Sequence, residues 1–174
     1  MTRVRAALGS LLFLFVAPGV VTVLVPYWLT RFESNGPPAV LVVAGALLVV
    51  AGAAVLLHAF ARFVVEGIGT PAPVAPTEQL VIGGAYRYVR NPMYLAVGSV
   101  ILGEALLLGQ PVLLVWLALF GAAVAAFVLL YEEPTLGARY GDEYAAYCES
   151  VPRWLPKRPR ADRDPARYGR RVSP

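Results

Sequence analysis

Charge is scarce in this sequence, and so are cysteine and histidine. Only 15% of its 174 residues are Asp, Glu, Lys or Arg, against about 25% in an ordinary soluble domain. With 58% hydrophobic residues and a mean hydropathy of +0.64, the chain reads as an integral membrane protein of one domain, residues 1–174. The single cysteine, Cys148, excludes an internal disulfide framework. It stands in a polar, tyrosine-rich stretch and reads as a bystander thiol rather than a reactive one. The single histidine, His58, cannot build a metal site by itself, and no Cys/His ligand spacing occurs, so no metal is expected. At the end of an apolar run, His58 reads as an interfacial residue. Acidic residues number 11 against 15 basic ones, a net charge of +4. Much of that excess sits in the tail "RWLPKRPRADRDPARYGRR", Arg153 to Arg171. After so many apolar segments, this tail reads as a membrane-surface arm in preference to a nucleic-acid-binding one.

What the chain has in abundance is long apolar runs. Four are visible, at about 7–30, 39–60, 92–109 and 111–131. The first follows Arg3 and Arg5 but is too long for a signal peptide and lacks a small-residue cleavage site. The second is long enough to cross the hydrocarbon core as a helix. Only Gly109-Gln110-Pro111 separates the third from the fourth. Glycine suits a helix end and proline a helix start, so a tight helical hairpin is predicted. At ~1.5 Å per residue its arms are about 27 Å and about 31 Å long, and their outer ends return to the same membrane face. The fold class expected is therefore all-α: about four transmembrane helices, a cytoplasmic loop at 61–91, and a cytoplasmic helical segment at 132–174. Orientation follows from Arg3, Arg5, Arg62, Arg87, Arg90, Arg139 and the tail, which share one side, while Arg31 alone occupies the other. Both termini are then cytoplasmic. The prolines of "GIGTPAPVAPTEQLVIGGAYRYVRN" forbid a continuous helix in the loop, which reads as a linker or a folded cytoplasmic loop.

After Tyr131 the composition turns polar, and the fourth helix is expected to end there. Leu136, Tyr140, Tyr144 and Tyr147 then follow three- or four-residue spacing, which makes one helical face. Gly141 is expected to break that helix, with Asp142 capping a second short one. Such an aromatic face usually packs or anchors at the interface, and it can also wall a ligand pocket.

"YRYVRNPMYL", Tyr86 to Leu95, stands at the start of the third run. Asn91-Pro92 is a helix-start signal, with asparagine as the expected N-cap. A helix N-terminus presents free N–H groups and partial positive charge, and Arg87 and Arg90 stand beside it. The cluster suits an anion such as a carboxylate or phosphate, or equally two arginines snorkelling to lipid headgroups. The hairpin brings Glu132 and Glu133 back to the same face, with Arg139 shortly after. Arginines on one wall and carboxylates on the other suit a zwitterionic ligand, such as an amino acid headgroup.

The two stretches "GIGTPAPVAPTEQLVIGGAYRYVRNPMYLAVG" and "EEPTLGARYGDEYAAYCESVPRWLP" resemble the integral-membrane isoprenylcysteine carboxyl methyltransferase and phospholipid methyltransferase superfamily. That family carries an Arg-(His or Asn)-Pro-x-Tyr motif, a helical hairpin, and a paired-Glu motif followed by Arg-aromatic. The resemblance spans about Gly67 to Pro156. It implies S-adenosylmethionine as cofactor, bound between the third and fourth helices and the C-terminal segment. By motif position, Arg90, Asn91, Pro92 and Tyr94 would line the cofactor site, with Tyr86 and Arg87 leading in. Glu133 and Arg139 fall on the positions near the cofactor and the methyl acceptor, and are the implied catalytic pair. Glu132, Tyr140, Tyr144 and Tyr147 fall on flanking cofactor positions. Asn91 stands where the prenylcysteine enzymes carry histidine, and Ala96 where they often carry glycine. Both departures point to the broader bacterial branch, and so to a bacterial inner membrane. The implied acceptor is a lipophilic small molecule, of prenyl carboxylate, lipid amine, thiol or phenol type, reached among membrane lipids. S-adenosylmethionine carries its own leaving group, so the sparse inventory of acids and bases fits: placement alone can supply about 7–11 kcal/mol of a barrier.

Glu104, within "ILGEALLLG", lies in the middle of the third run. A charge at the bilayer centre costs at least ~2.5–3.5 kcal/mol, so such a carboxylate is either functional or a hydrogen-bonded packing element, the second being the more common. It is the one residue on which a rival reading, a small transporter or channel subunit, could rest. A non-catalytic membrane scaffold with a basic tail is the other rival. Neither needs S-adenosylmethionine.

Overall fold

Prolines and glycines, spaced among apolar residues, decide where the helices of this chain start, widen and meet. The computed structural model describes residues 16–62 and 80–158. The first part of the first run with Arg3 and Arg5, the proline-rich part of the loop, and the tail beyond Arg158 lie outside the described residues. Within them the chain is all-helical, with α1 at Val16–Thr30, α2 at Ala39–Arg62, α3 at Pro92–Leu108, α4 at Val112–Tyr140 and α5 at Asp142–Ser150. A 3₁₀ turn at Gly84–Arg87 precedes α3. Two helices, α2 and α4, are long and apolar enough to cross a membrane; α1 and α3 are apolar but shorter. Large apolar side chains such as Val43, Leu47, Val50, Val115, Leu119 and Leu130 face outward, away from the protein interior. A lipid surround satisfies such side chains, and water does not.

Three residues, Gly109 to Pro111, connect α3 to α4. Gly109 takes the left-handed conformation (φ 65°) that closes α3, and Gln110 N–H donates to the Ala105 carbonyl at 3.0 Å. The turn between α1 and α2 clasps the same end: Asn35 N–H donates to the Leu108 carbonyl (2.8 Å) and Gln110 Nε2 to the Glu33 carbonyl (2.8 Å). α2 and α3 make the closest packing. A Cβ on Gly45 would lie 2.5 Å from the Gly103 carbonyl oxygen, and one on Gly103 would lie 2.6 Å from that of Gly45. One heptad away, Gly52 meets the Ala96 carbonyl in the same manner, at 2.7 Å. Small residues at this spacing let two backbones touch, which is how helices associate where water supplies no hydrophobic drive.

Three expectations are corrected. The fourth helix does not end at Tyr131 but runs to Tyr140, although Pro134 lies inside it. Proline lacks an N–H and its ring collides with the carbonyl four residues earlier. A π turn at Val128–Glu132, closed by Glu133 N–H on the Val128 carbonyl, widens the helix just before it. The same device precedes Pro26, with a π turn at Val20–Leu24; there the indole of Trp116 donates to the Val21 carbonyl at 3.0 Å and ties α1 to α4. Asn91 holds the N-cap position but its side chain makes no capping bond; its amide reaches the Arg153 carbonyl instead. Asp142 does not cap α5: it is the first helical residue, and Gly141 (φ 51°) turns the chain before it.

Candidate functional site

The polar end of α4, at and beyond its π turn, lies across from the start of α3, and a cavity of about 300 Å³ lies between them. Both meet there with α1, α2, α5 and the segment before α3. Tyr86, Arg90, Asn91, Pro92, Tyr94, Glu132, Glu133, Tyr140, Tyr144 and Tyr147 all line it. These are ten of the residues singled out in the sequence. Two others do not reach it. Arg87 ends the 3₁₀ turn outside the lining. Arg139 is exposed and lies over the Tyr140 ring, 5.7 Å from its centroid. Nor does Glu104 line the cavity.

The polar groups separate into two poles. At one, Glu133 accepts from Arg153 through both oxygens, Nε to Oε1 at 2.7 Å and Nη2 to Oε2 at 2.8 Å. Arg90 Nη1 lies 3.0 Å from the same Oε1 and 2.7 Å from Cys148 Sγ. Donating hydrogen bonds to the Glu133 carboxylate holds the Arg153 guanidinium above its usual range, so it stays charged. At the other pole, Tyr94 donates its hydroxyl to Glu132 Oε2 at 2.9 Å. Among the described residues no arginine or lysine pairs with Glu132.

The tyrosine face is built from α4 and α5. Tyr144 and Tyr147 are buried with Val151, and Leu136, Tyr140 and Cys148 pack against them. Tyr147 donates its hydroxyl to the Tyr86 carbonyl at 2.8 Å, joining α5 to the 3₁₀ turn. Burial pushes the hydroxyls of Tyr86, Tyr144 and Tyr147 up from their ordinary value, so all three stay neutral donors. Apolar side chains close the remaining walls, among them Leu56, Phe60, Val97, Phe120 and Phe127. Beyond Phe120 and Phe127 an apolar crevice of about 450 Å³ opens on the outer side of α1 and α4, between Val21, Trp116, Leu119 and Val124. It shares Val21, Phe120 and Phe127 with the cavity.

In the sequence Arg153 stands out only as part of a basic tail. Its position was signalled by Pro152 and Pro156 on either side, which hold the chain extended where α5 stops. That extended segment lies along the residues before α3: Arg90 N–H donates to the Pro152 carbonyl and Lys157 N–H to the Tyr88 carbonyl, both at 2.9 Å.

The paired carboxylates and the Arg-Asn-Pro-x-Tyr motif of this chain thus meet in one cavity among its helices. The sequence model of the phospholipid methyltransferase family matches residues 40–143, well over half of the chain. The protein belongs to that family, whose members are methyltransferases acting on membrane lipid-type substrates. Comparison with curated proteins and with solved structures returns no match.

Proposed function

We propose that this protein transfers a methyl group from S-adenosylmethionine to a lipophilic acceptor held in the membrane. The observation that carries the reading is the polarity of the cavity: Arg90 with Glu133 at one pole, Glu132 with Tyr94 at the other, and aromatic walls between them. The donor set fits the cofactor. Its amino acid end needs a cation for the carboxylate and an anion for the positive charge, and its adenine and sulfonium suit aromatic faces. When bound, S-adenosylmethionine supplies an activated methyl group that needs no acid–base help to leave.

The residues of the chain then bind, orient and exclude water. Arg90 receives the carboxylate, assisted by the start of α3 at Asn91 and Pro92. Glu132, held in place by Tyr94, draws the positive charge. Tyr86, Tyr140, Tyr144 and Tyr147 form the wall on which the cofactor rests. Glu133 is occupied through both oxygens by the Arg153 fork and makes no contact of its own with the cofactor. Arg139 and Arg87 contribute positive charge at the membrane surface and not a contact with the cofactor.

The acceptor, a prenyl carboxylate, lipid amine, thiol or phenol, enters from the bilayer through the apolar crevice between α1 and α4. Four spans with a cytoplasmic loop and C-terminal segment complete this reading, as one domain over 1–174. It is supported by the paired turns at one end, where Arg31 is the one basic residue, and by Arg62, Arg87, Arg90, Arg139 and Arg153 at the other. A translocation path through Glu104 has less support, because that residue lies away from the cavity.

Calorimetry of the purified protein in detergent tests the cofactor assignment. Saturable binding of S-adenosylhomocysteine is expected. The absence of both heat and a thermal shift at millimolar ligand would overturn it.

A further inference from the structure

We infer that Arg153 is a positioning residue that keeps Arg90 available for the carboxylate of the cofactor; this rests on the S-adenosylmethionine reading above. The charges at the arginine pole do not balance. Glu133 carries one negative charge and meets two guanidinium groups. Arg153 satisfies both of its oxygens in a two-point fork, from a position outside the cavity lining, where its side chain is 36% exposed. Arg90 is the more buried cation at 12% exposure, and it lines the cavity. Its closest approach to Glu133 is through Nη1, the nitrogen it also gives to Cys148, and its Nε is buried with no hydrogen-bond partner among the described residues.

Without Arg153, Glu133 and Arg90 would form a neutral one-to-one pair. A bidentate fork is the strongest arrangement open to that pair, and it would consume the donors of Arg90. With Arg153 in place the cluster carries a surplus of one positive charge, and the surplus lies on the cavity side. The segment that presents Arg153 is anchored by main-chain atoms. Arg90 N–H and Asn91 Nδ2 donate to the carbonyls of Pro152 (2.9 Å) and Arg153 (3.1 Å), and Lys157 N–H donates to Tyr88 (2.9 Å). These bonds remain when the Arg153 side chain is removed, so the side chain's role separates from that of its backbone.

The test uses the full chain in detergent and two ligands. S-adenosylhomocysteine has the carboxylate, and 5′-methylthioadenosine lacks the whole amino acid end. Arg153→Ala is expected to weaken S-adenosylhomocysteine about tenfold or more, the scale of a lost charged hydrogen-bond partner, and to leave methylthioadenosine unchanged. Adding Glu133→Gln to Arg153→Ala removes the charge that would capture Arg90, and is expected to restore S-adenosylhomocysteine binding. Should Arg153→Ala bind neither ligand, Arg153→Lys supplies the reading. It keeps the charge but not the fork, and a selective loss for S-adenosylhomocysteine is again expected. Equal loss for both ligands in the lysine variant, no loss in the alanine variant, or no restoration by Glu133→Gln overturns the inference. Wild-type protein that binds methylthioadenosine but not S-adenosylhomocysteine overturns the inference together with the cofactor assignment.

Discussion

Replacing Glu132 by Gln removes one charge from the cavity and almost nothing else. The amide oxygen of Gln still accepts from the Tyr94 hydroxyl, which now lies 2.9 Å from Glu132 Oε2, so the link between α3 and α4 survives. Lost is the one cavity carboxylate that pairs with no arginine or lysine among the described residues. A hydrogen bond to a charged group is worth about 1.5–3 kcal/mol and a neutral one about 0.5–1.5 kcal/mol, so the change costs roughly 1–1.5 kcal/mol. That corresponds to about a tenfold rise in the dissociation constant. Calorimetry with S-adenosylmethionine reads this directly, and methylthioadenosine, which carries neither the sulfonium nor the ammonium charge, serves as the control. Affinity for S-adenosylmethionine is expected to fall and that for methylthioadenosine to hold. Unchanged S-adenosylmethionine binding would show that Glu132 does not meet the positive end of the cofactor, and the assignment of the two poles would be wrong.

Further outcomes follow from other parts of the fold. Gly103→Val places branched carbon against the Gly45 carbonyl, where even a Cβ has only 2.6 Å; overpacking of this kind costs about 1–3 kcal/mol, and the thermal midpoint in detergent should fall clearly, while no change would contradict the α2–α3 contact. Trp116→Phe leaves the Val21 carbonyl without its indole donor; a loss of about 1 kcal/mol lowers the midpoint by about 2–4 °C. A reporter active only in the cytoplasm, fused after Pro174, is expected to work, and activity of an exterior-only reporter there would invert the topology. Acceptors that share one reactive group but carry longer apolar tails should show lower apparent Michaelis constants, since each buried methylene is worth about 0.8 kcal/mol of partitioning; equal turnover of a short, water-soluble analogue would refute entry from the bilayer.

The parts of the fold that sequence alone could reveal are those decided by local backbone chemistry. Pro92 starts α3, Gly109 and Pro111 make the hairpin turn, and Gly141 separates α4 from α5, because each needs a backbone state that its residue type favours. The tyrosine face was legible for a similar reason, since helical spacing survives the break at Gly141. The extent of α4 was not. A change to polar composition at Tyr131 resembles a helix end, but backbone continuity does not depend on composition, and the π turn absorbs Pro134. Asn91 departs from its expected capping role: its side chain makes no bond to the start of α3, and its amide nitrogen donates to a distant carbonyl, that of Arg153. Arg153 was hidden because a count of basic residues gives all of them equal weight, whereas only the fold selects the one that reaches Glu133. Gly45, Gly52 and Gly103 could have been noticed as small residues on two apolar helices, but their pairing is a property of two helices together.

The most direct measurement is transfer of labelled methyl from S-adenosylmethionine into a total lipid extract by the purified protein, with the product identified by mass spectrometry. The expected result is a labelled lipophilic product that appears with wild-type protein and is strongly reduced with Arg90→Ala. No labelled product from a protein that binds the cofactor, across extracts containing prenyl carboxylates, lipid amines, thiols and phenols, would contradict methyl transfer to a lipophilic acceptor.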